Sequence, residues 1–234
     1  MTGPGSSGPD VDGVRGRLAV VRQRIVAGGG VVDDVTVLAV TKTFGADVVR
    51  VALAAGLGDL GESYAQELAA KASEVAGDPG PGVAPRWHFI GGLQRNKVKR
   101  VAGLVALWQS VDRPEVGREI ARRQPGAAVL VQVNTTGEAA KSGCHPAEAA
   151  ALVDELSTAG LEVRGLMTVG PTDPGVDPRP AFAALRSLVD QLGLEVCSMG
   201  MSGDLEAAVA EGSTMVRVGT ALFGARDRSA GGRQ

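Results

Sequence analysis

The chain has 234 residues, 44% of them hydrophobic and 21% charged, the make-up of an ordinary globular protein with room for one large α/β domain or two small ones. Its 24 basic and 26 acidic side chains leave a net charge of −2, and its aromatic content is 3%, which argues against the electropositive surface and stacking platforms that nucleic acid or an anionic membrane would require. No apolar run approaches the roughly 18 residues of a membrane helix, and Cys144 and Cys197 stand far apart without metal-type spacing, so reduced thiols, a cytoplasmic location and no metal are expected.

The first 13 residues, MTGPGSSGPDVDG, are rich in Gly, Pro and Ser and lack the basic start and apolar core of a secretory signal. They are expected to form a disordered lead. An amphipathic helix is predicted over 14–27. Short apolar runs then follow at 36–41, 57–61, 87–91, 106–111, 128–134, 163–169, 194–200 and 215–220. They alternate with segments of helical period at 47–55, 63–76, 113–123, 146–159, 179–192 and 204–211. The runs are too short and too apolar for exposed hairpins and suit strands covered on both faces. After the third run, LQRNKVKR (93–100) opens a further helix with a basic, solvated face. The Gly- and Pro-rich stretches at 77–85 and 172–180 are loops too short to part domains, and 227–234 is expected to be a flexible tail. Strand and helix runs in alternation predict the α/β class and a single (β/α)8 TIM-type barrel over 14–226, with an extra helix ahead of it. A doubly wound open sheet is the alternative, because periodicity does not report closure.

In a barrel of this kind the chemistry collects where strands end. The run TVLAVT ends on Lys42. A solvated lysine is the plain reading; an amine held at the barrel mouth, with a lowered pKa and able to attack a carbonyl, is the sharper one. The far end of the chain favours the second. SMGMSGD runs from strand into helix through Ser202 and Gly203, and MVRVGT runs from strand into turn through Gly219 and Thr220. Loops after strands 7 and 8 are frequent phosphate sites, where backbone N–H groups and hydroxyls face an anion. Ser202 as a helix cap is the alternative. An amine that seeks an aldehyde and a phosphate grip together suggest pyridoxal 5′-phosphate. Arg217, inside the last strand, needs an acceptor, either the cofactor's ring nitrogen or an acid such as Glu195 or Glu211. His88 reads as a core or supporting histidine rather than a base. Asn134 either points into the cavity or caps the next turn.

The stretches LAVTK, GESYAQE, WHFIGGLQRNK, VQVNTTGEAAKSG, GLMTV and SMGMSGDLEAAVAEGSTMVRVGTALFGAR together resemble the pyridoxal phosphate homeostasis protein family over about residues 14–226. Ser63 stands where asparagine is common in that pattern, and Gly92 where histidine is common. The resemblance implies a stand-alone barrel like the N-terminal domain of alanine racemase. It also implies an internal aldimine on Lys42, phosphate contacts around Ser202, Gly219 and Thr220, and Arg217 near the pyridine nitrogen. Met199, Gly203, Asn134, Ser63 and His88 complete the expected cofactor-binding set, with no catalytic residue among them. The function expected is that of a monomeric carrier in cofactor and amino-acid homeostasis, with PLP-dependent apoenzymes as possible recipients. A racemase is the alternative, but it needs a second base on the opposite face, and Tyr64, the single tyrosine, belongs to this same barrel. A Schiff-base aldolase acting on a sugar phosphate would use Lys42 and the loops without needing Arg217.

Overall fold

The computed structural model describes residues 9–78 and 80–224. Its eight strands are β1 (Thr36–Val40), β2 (Asp59–Glu62), β3 (Arg86–Phe89), β4 (Val105–Val111), β5 (Ala128–Gln132), β6 (Glu162–Met167), β7 (Val196–Ser198) and β8 (Met215–Val218). Each pairs in parallel with the next, and β8 returns to β1 through registers such as Leu38↔Arg217. The sheet is therefore a closed barrel, and the open-sheet alternative is excluded. Around it run α1 (Val11–Ala27), α2 (Ala46–Ala54), α3 (Ala65–Gly77), α4 (Arg95–Val101), α5 (Pro114–Arg123), α6 (Ala149–Thr158), α7 (Arg179–Gln191), α8 (Leu205–Ala210) and α9 (Thr220–Phe223).

Strand alternation divides the core into two layers. Leu38, Leu107, Leu130, Met167 and Met215 fill the barrel interior. Alternate residues such as Ala39, Leu60, Phe89, Trp108, Val129 and Cys197 face the helices. Each large side chain removed from water in this way contributes about 1.5–3 kcal/mol. Among the described residues no helix is long and apolar enough to cross a membrane.

Several boundaries differ from the sequence-based expectation, each for a local reason. Helix α1 starts at Val11 rather than residue 14, because the Asp10 carboxylate accepts the N–H of Gly13 and caps it. Residues 1–8 of the expected lead and 225–234, which include the expected tail, lie outside the described residues. Leu57 and Leu194, expected to open strands, instead close helices. Each follows a left-handed glycine, Gly56 (φ 91°) or Gly193 (φ 63°), and donates its N–H to the carbonyl five residues back. Strand β5 stops at Gln132, two residues short of Asn134.

Candidate functional site

At the end of β1 the chain turns sharply. Leu38 faces the barrel interior, and Thr41 turns outward to donate its hydroxyl to Glu62 Oε1 at 2.7 Å. Alternation therefore brings the half-buried Lys42 to the mouth. The next residue, Thr43, adopts φ 67°, a left-handed conformation that a β-branched side chain tolerates poorly. A cluster beneath α3 holds the turn on both sides of Lys42. Lys71 Nζ donates to the Thr41 carbonyl at 2.9 Å, to Glu62 Oε1 at 2.7 Å and to Glu67 Oε2 at 3.2 Å. Glu67 Oε2 also accepts the Thr43 N–H at 2.8 Å. Glu62 is fully buried, and its Oε2 has no hydrogen-bond partner among the described residues. Burial pushes its carboxyl pKa up, against the opposing pull of Lys71 and Thr41.

Arg217 lies inside the barrel on β8 and is 5% exposed. Its guanidinium donates to Ser198 Oγ at 2.8 Å and to the Thr168 carbonyl at 2.6 Å. Among the described residues it has no carboxylate partner; Glu195 pairs instead with Arg164. The alternative of a salt bridge to Glu195 or Glu211 is thus replaced by neutral acceptors. Burial lowers the Arg217 pKa to about 10, which still leaves the side chain cationic at neutral pH. Two of its five N–H donors are engaged by these acceptors.

The two loops expected to face an anion do meet. Ser202 Oγ accepts the N–H of Ala221, at the start of α9, at 3.4 Å. Ser202 is therefore not the cap of α8; Asp204 occupies that position. Gly203 and Thr220 are exposed and Gly219 is buried. A Cβ added to Gly203 would meet nothing within 4 Å, so the chain's own packing does not demand a glycine there. Helix α1 braces the loop after β7 and helix α9 from outside. Arg24 donates to the Ser202 carbonyl at 2.9 Å while pairing with Glu206, and Arg17 donates to the Leu222 carbonyl.

The remaining expected residues are placed differently. Ser63 follows β2 at the mouth, half-buried, with its backbone packed against Gly91. Met199 is fully buried in the barrel–helix layer beside Cys197, because alternation sends Ser198 inward and Met199 outward. Asn134 caps its own turn: Oδ1 accepts from Gly137 N and Thr136 Oγ1, both at 3.1 Å, and Nδ2 donates to the Glu138 carbonyl. It nevertheless borders a small mouth cavity of about 140 Å³ that Lys141 and Thr168 also line. His88 lies in the interior between Asp59 and Gln109. Sequence reasoning missed Glu67, Lys71, Arg24, Gln109 and Ser198. Strand parity could have marked Gln109 and Ser198 as inward-facing polar residues; nothing local marked the others. Among the described residues no group of three or more His, Cys, Asp or Glu side chains could hold a metal ion.

A closed parallel barrel with an amine after its first strand and paired loops after its last two matches a known class. The family model described as alanine racemase, N-terminal domain, covers residues 10–227. The pyridoxal phosphate homeostasis protein of Pseudomonas aeruginosa is 44% identical over 220 residues, covering 91% of this chain and 94% of its own. That of Escherichia coli K12 is 37% identical over 233 residues, covering 91% and 96%. The solved structure of PipY from Synechococcus elongatus with PLP bound superimposes with a TM-score of 0.75 at 32% identity, covering 90% of this chain and all of its own. The chain belongs to the pyridoxal phosphate homeostasis protein family within the alanine racemase N-terminal domain class.

Proposed function

We propose that this chain binds pyridoxal 5′-phosphate reversibly through Lys42, whose amine condenses with the cofactor aldehyde to a C=N bond with release of one water. In this reading Ser202, Gly203, Gly219 and Thr220 face the phosphate, and Arg217 donates to the pyridine nitrogen. The protein is then a monomeric cytoplasmic carrier in PLP and amino-acid homeostasis, not an enzyme, and the cofactor passes to PLP-dependent apoenzymes. The residues fit the group. One observation carries the reading: Arg217 is a buried cation with neutral protein acceptors and further N–H donors to offer. A ring nitrogen with a lone pair meets that demand without bringing a second charge. Bound pyridoxal phosphate supplies an electron-withdrawing ring, and its strength depends on protonation of that nitrogen. A guanidinium keeps its own proton, so this site leaves the ring a weak electron sink, which suits storage better than turnover.

Borohydride reduction followed by peptide mass spectrometry tests the proposal, with sedimentation equilibrium of the same sample. One reduced cofactor adduct per chain on the Lys42 peptide, and a single-chain mass, are expected. No adduct, or an adduct on another lysine, overturns the assignment. Racemisation of alanine at enzyme-like turnover overturns the carrier role.

A further inference from the structure

Behind Arg217 the barrel interior contains a continuous line of polar side chains. Arg217 Nη1 is 2.8 Å from Ser198 Oγ, and Ser198 Oγ is 2.7 Å from Gln109 Oε1. Gln109 Nε2 is 2.8 Å from His88 Nδ1, and His88 Nε2 is 3.1 Å from Asp59 Oδ1. The line crosses from β8 through β7, β4 and β3 to the first residue of β2, where Asp59 also pairs with Arg86. Ser198, Gln109, His88 and Arg217 are each at most 5% exposed.

The chemistry of the two ends fixes every direction in between. A guanidinium only donates, so the Ser198 oxygen receives and its one hydrogen goes to the Gln109 carbonyl oxygen. The Gln109 amide nitrogen then faces His88 Nδ1, which must offer a lone pair. The second amide hydrogen has its own acceptor in Met215 Sδ at 3.1 Å. The imidazole proton therefore sits on Nε2, directed at the Asp59 carboxylate. One neutral tautomer satisfies the whole line; a proton on Nδ1 would oppose the amide N–H. Burial raises the Asp59 pKa, but hydrogen bonds from His88 and Arg86 outweigh it and hold the carboxyl at about 2, so the last acceptor stays ionised.

We propose that Asp59, His88, Gln109 and Ser198 are positioning residues for the ring-nitrogen end of the site, a directed relay that holds the Arg217 guanidinium in one orientation. The functional part rests on the reading that Arg217 faces the pyridine ring. Buried polar groups satisfied in one way only confer rigidity, and a donor held in place needs no reordering when its acceptor arrives.

The test uses the full chain with ¹⁵N-labelled histidine and arginine, compared with Ser198→Ala, Ser198→Thr and Gln109→Met. Multiple-bond ¹H–¹⁵N spectra of cofactor-free protein should show His88 as the Nε2–H tautomer with Nδ1 as a hydrogen-bond acceptor. Ser198→Ala, two links away, should let the Gln109 amide turn and so change the Nδ1 and Arg217 Nε signals. It should also weaken PLP binding roughly tenfold, the factor for one hydrogen bond to a charged group. Ser198→Thr should restore both, and Gln109→Met should reproduce the Ser198→Ala effects. An Nδ1–H tautomer in the wild type overturns the relay, as do His88 and Arg217 signals that ignore Ser198→Ala. The spectra need no cofactor, so a missing adduct on Lys42 overturns the carrier reading while the relay is judged separately.

Discussion

Lys42 is held through its neighbours. Thr41 and Thr43 are both fastened to the Glu62–Lys71–Glu67 cluster, and the left-handed Thr43 stores about 1–2 kcal/mol of strain in the turn. Fastening of this kind keeps a strained backbone in place. One ammonium serves two carboxylates and a carbonyl, so Lys71 is the member whose loss does most damage. Lys71→Met should destabilise the fold by about 3–5 kcal/mol, because Glu62 is left buried without a counter-charge; urea unfolding checks this. The same variant should also slow trapping of the cofactor by borohydride, since the Lys42 turn loses its anchors. This cluster was only partly legible in the sequence. Lys42 stood out because a charged residue ended an apolar run. Glu62 stood at a strand end, but nothing in the sequence tied Glu67 and Lys71 to it. Only the packing of α3 against β2 makes them one group.

At the scale of elements, α1 gains a purpose that its amphipathic pattern did not disclose. It is outside the eightfold alternation, yet two of its arginines reach the loop after β7 and helix α9 after β8. Arg24 fixes the Ser202 carbonyl from behind, so Arg24→Ala should weaken PLP binding roughly fivefold, the factor for about 1 kcal/mol, without any contact between Arg24 and the ligand. Equilibrium titration of PLP against the variant checks it, and an unchanged affinity would detach α1 from the site. The helices themselves were readable, because their apolar period persists over several turns. Their ends were less so. A glycine followed by leucine can begin a strand or close a helix, and in Gly56-Leu57 and Gly193-Leu194 the left-handed glycine chooses closure. Asn134 was undecided for a similar reason: the amide that could have faced the cavity satisfies its own turn instead.

For the molecule as a whole, alternation of strand and helix announced a barrel, and the chemistry was expected at its rim. What the one-dimensional pattern could not show was the interior. Residues 59, 88, 109, 198 and 217 are scattered over the chain, and only closure of the sheet brings them into line. His88 illustrates the limit. A core or supporting role was expected of it, but its partners, Asp59 and Gln109, lie 29 and 21 residues away in sequence, and only the register of neighbouring strands identifies them.

The pairing of β1 with β8 has one more consequence. These strands come from opposite ends of the sequence, and their ladder is the seam along which the sheet is zipped into a cylinder. Lys42 leaves one lip of that seam, while Thr220 leaves the other. If the proposed cofactor is gripped by both, it would be a clasp across the joint, and occupancy should lock the cylinder shut by mass action. Amide hydrogen exchange along 37–40 and 215–218 should slow on loading more than exchange on the far wall, in β4 and β5. Equal slowing everywhere would mean that the ligand steadies the fold without fastening its edges.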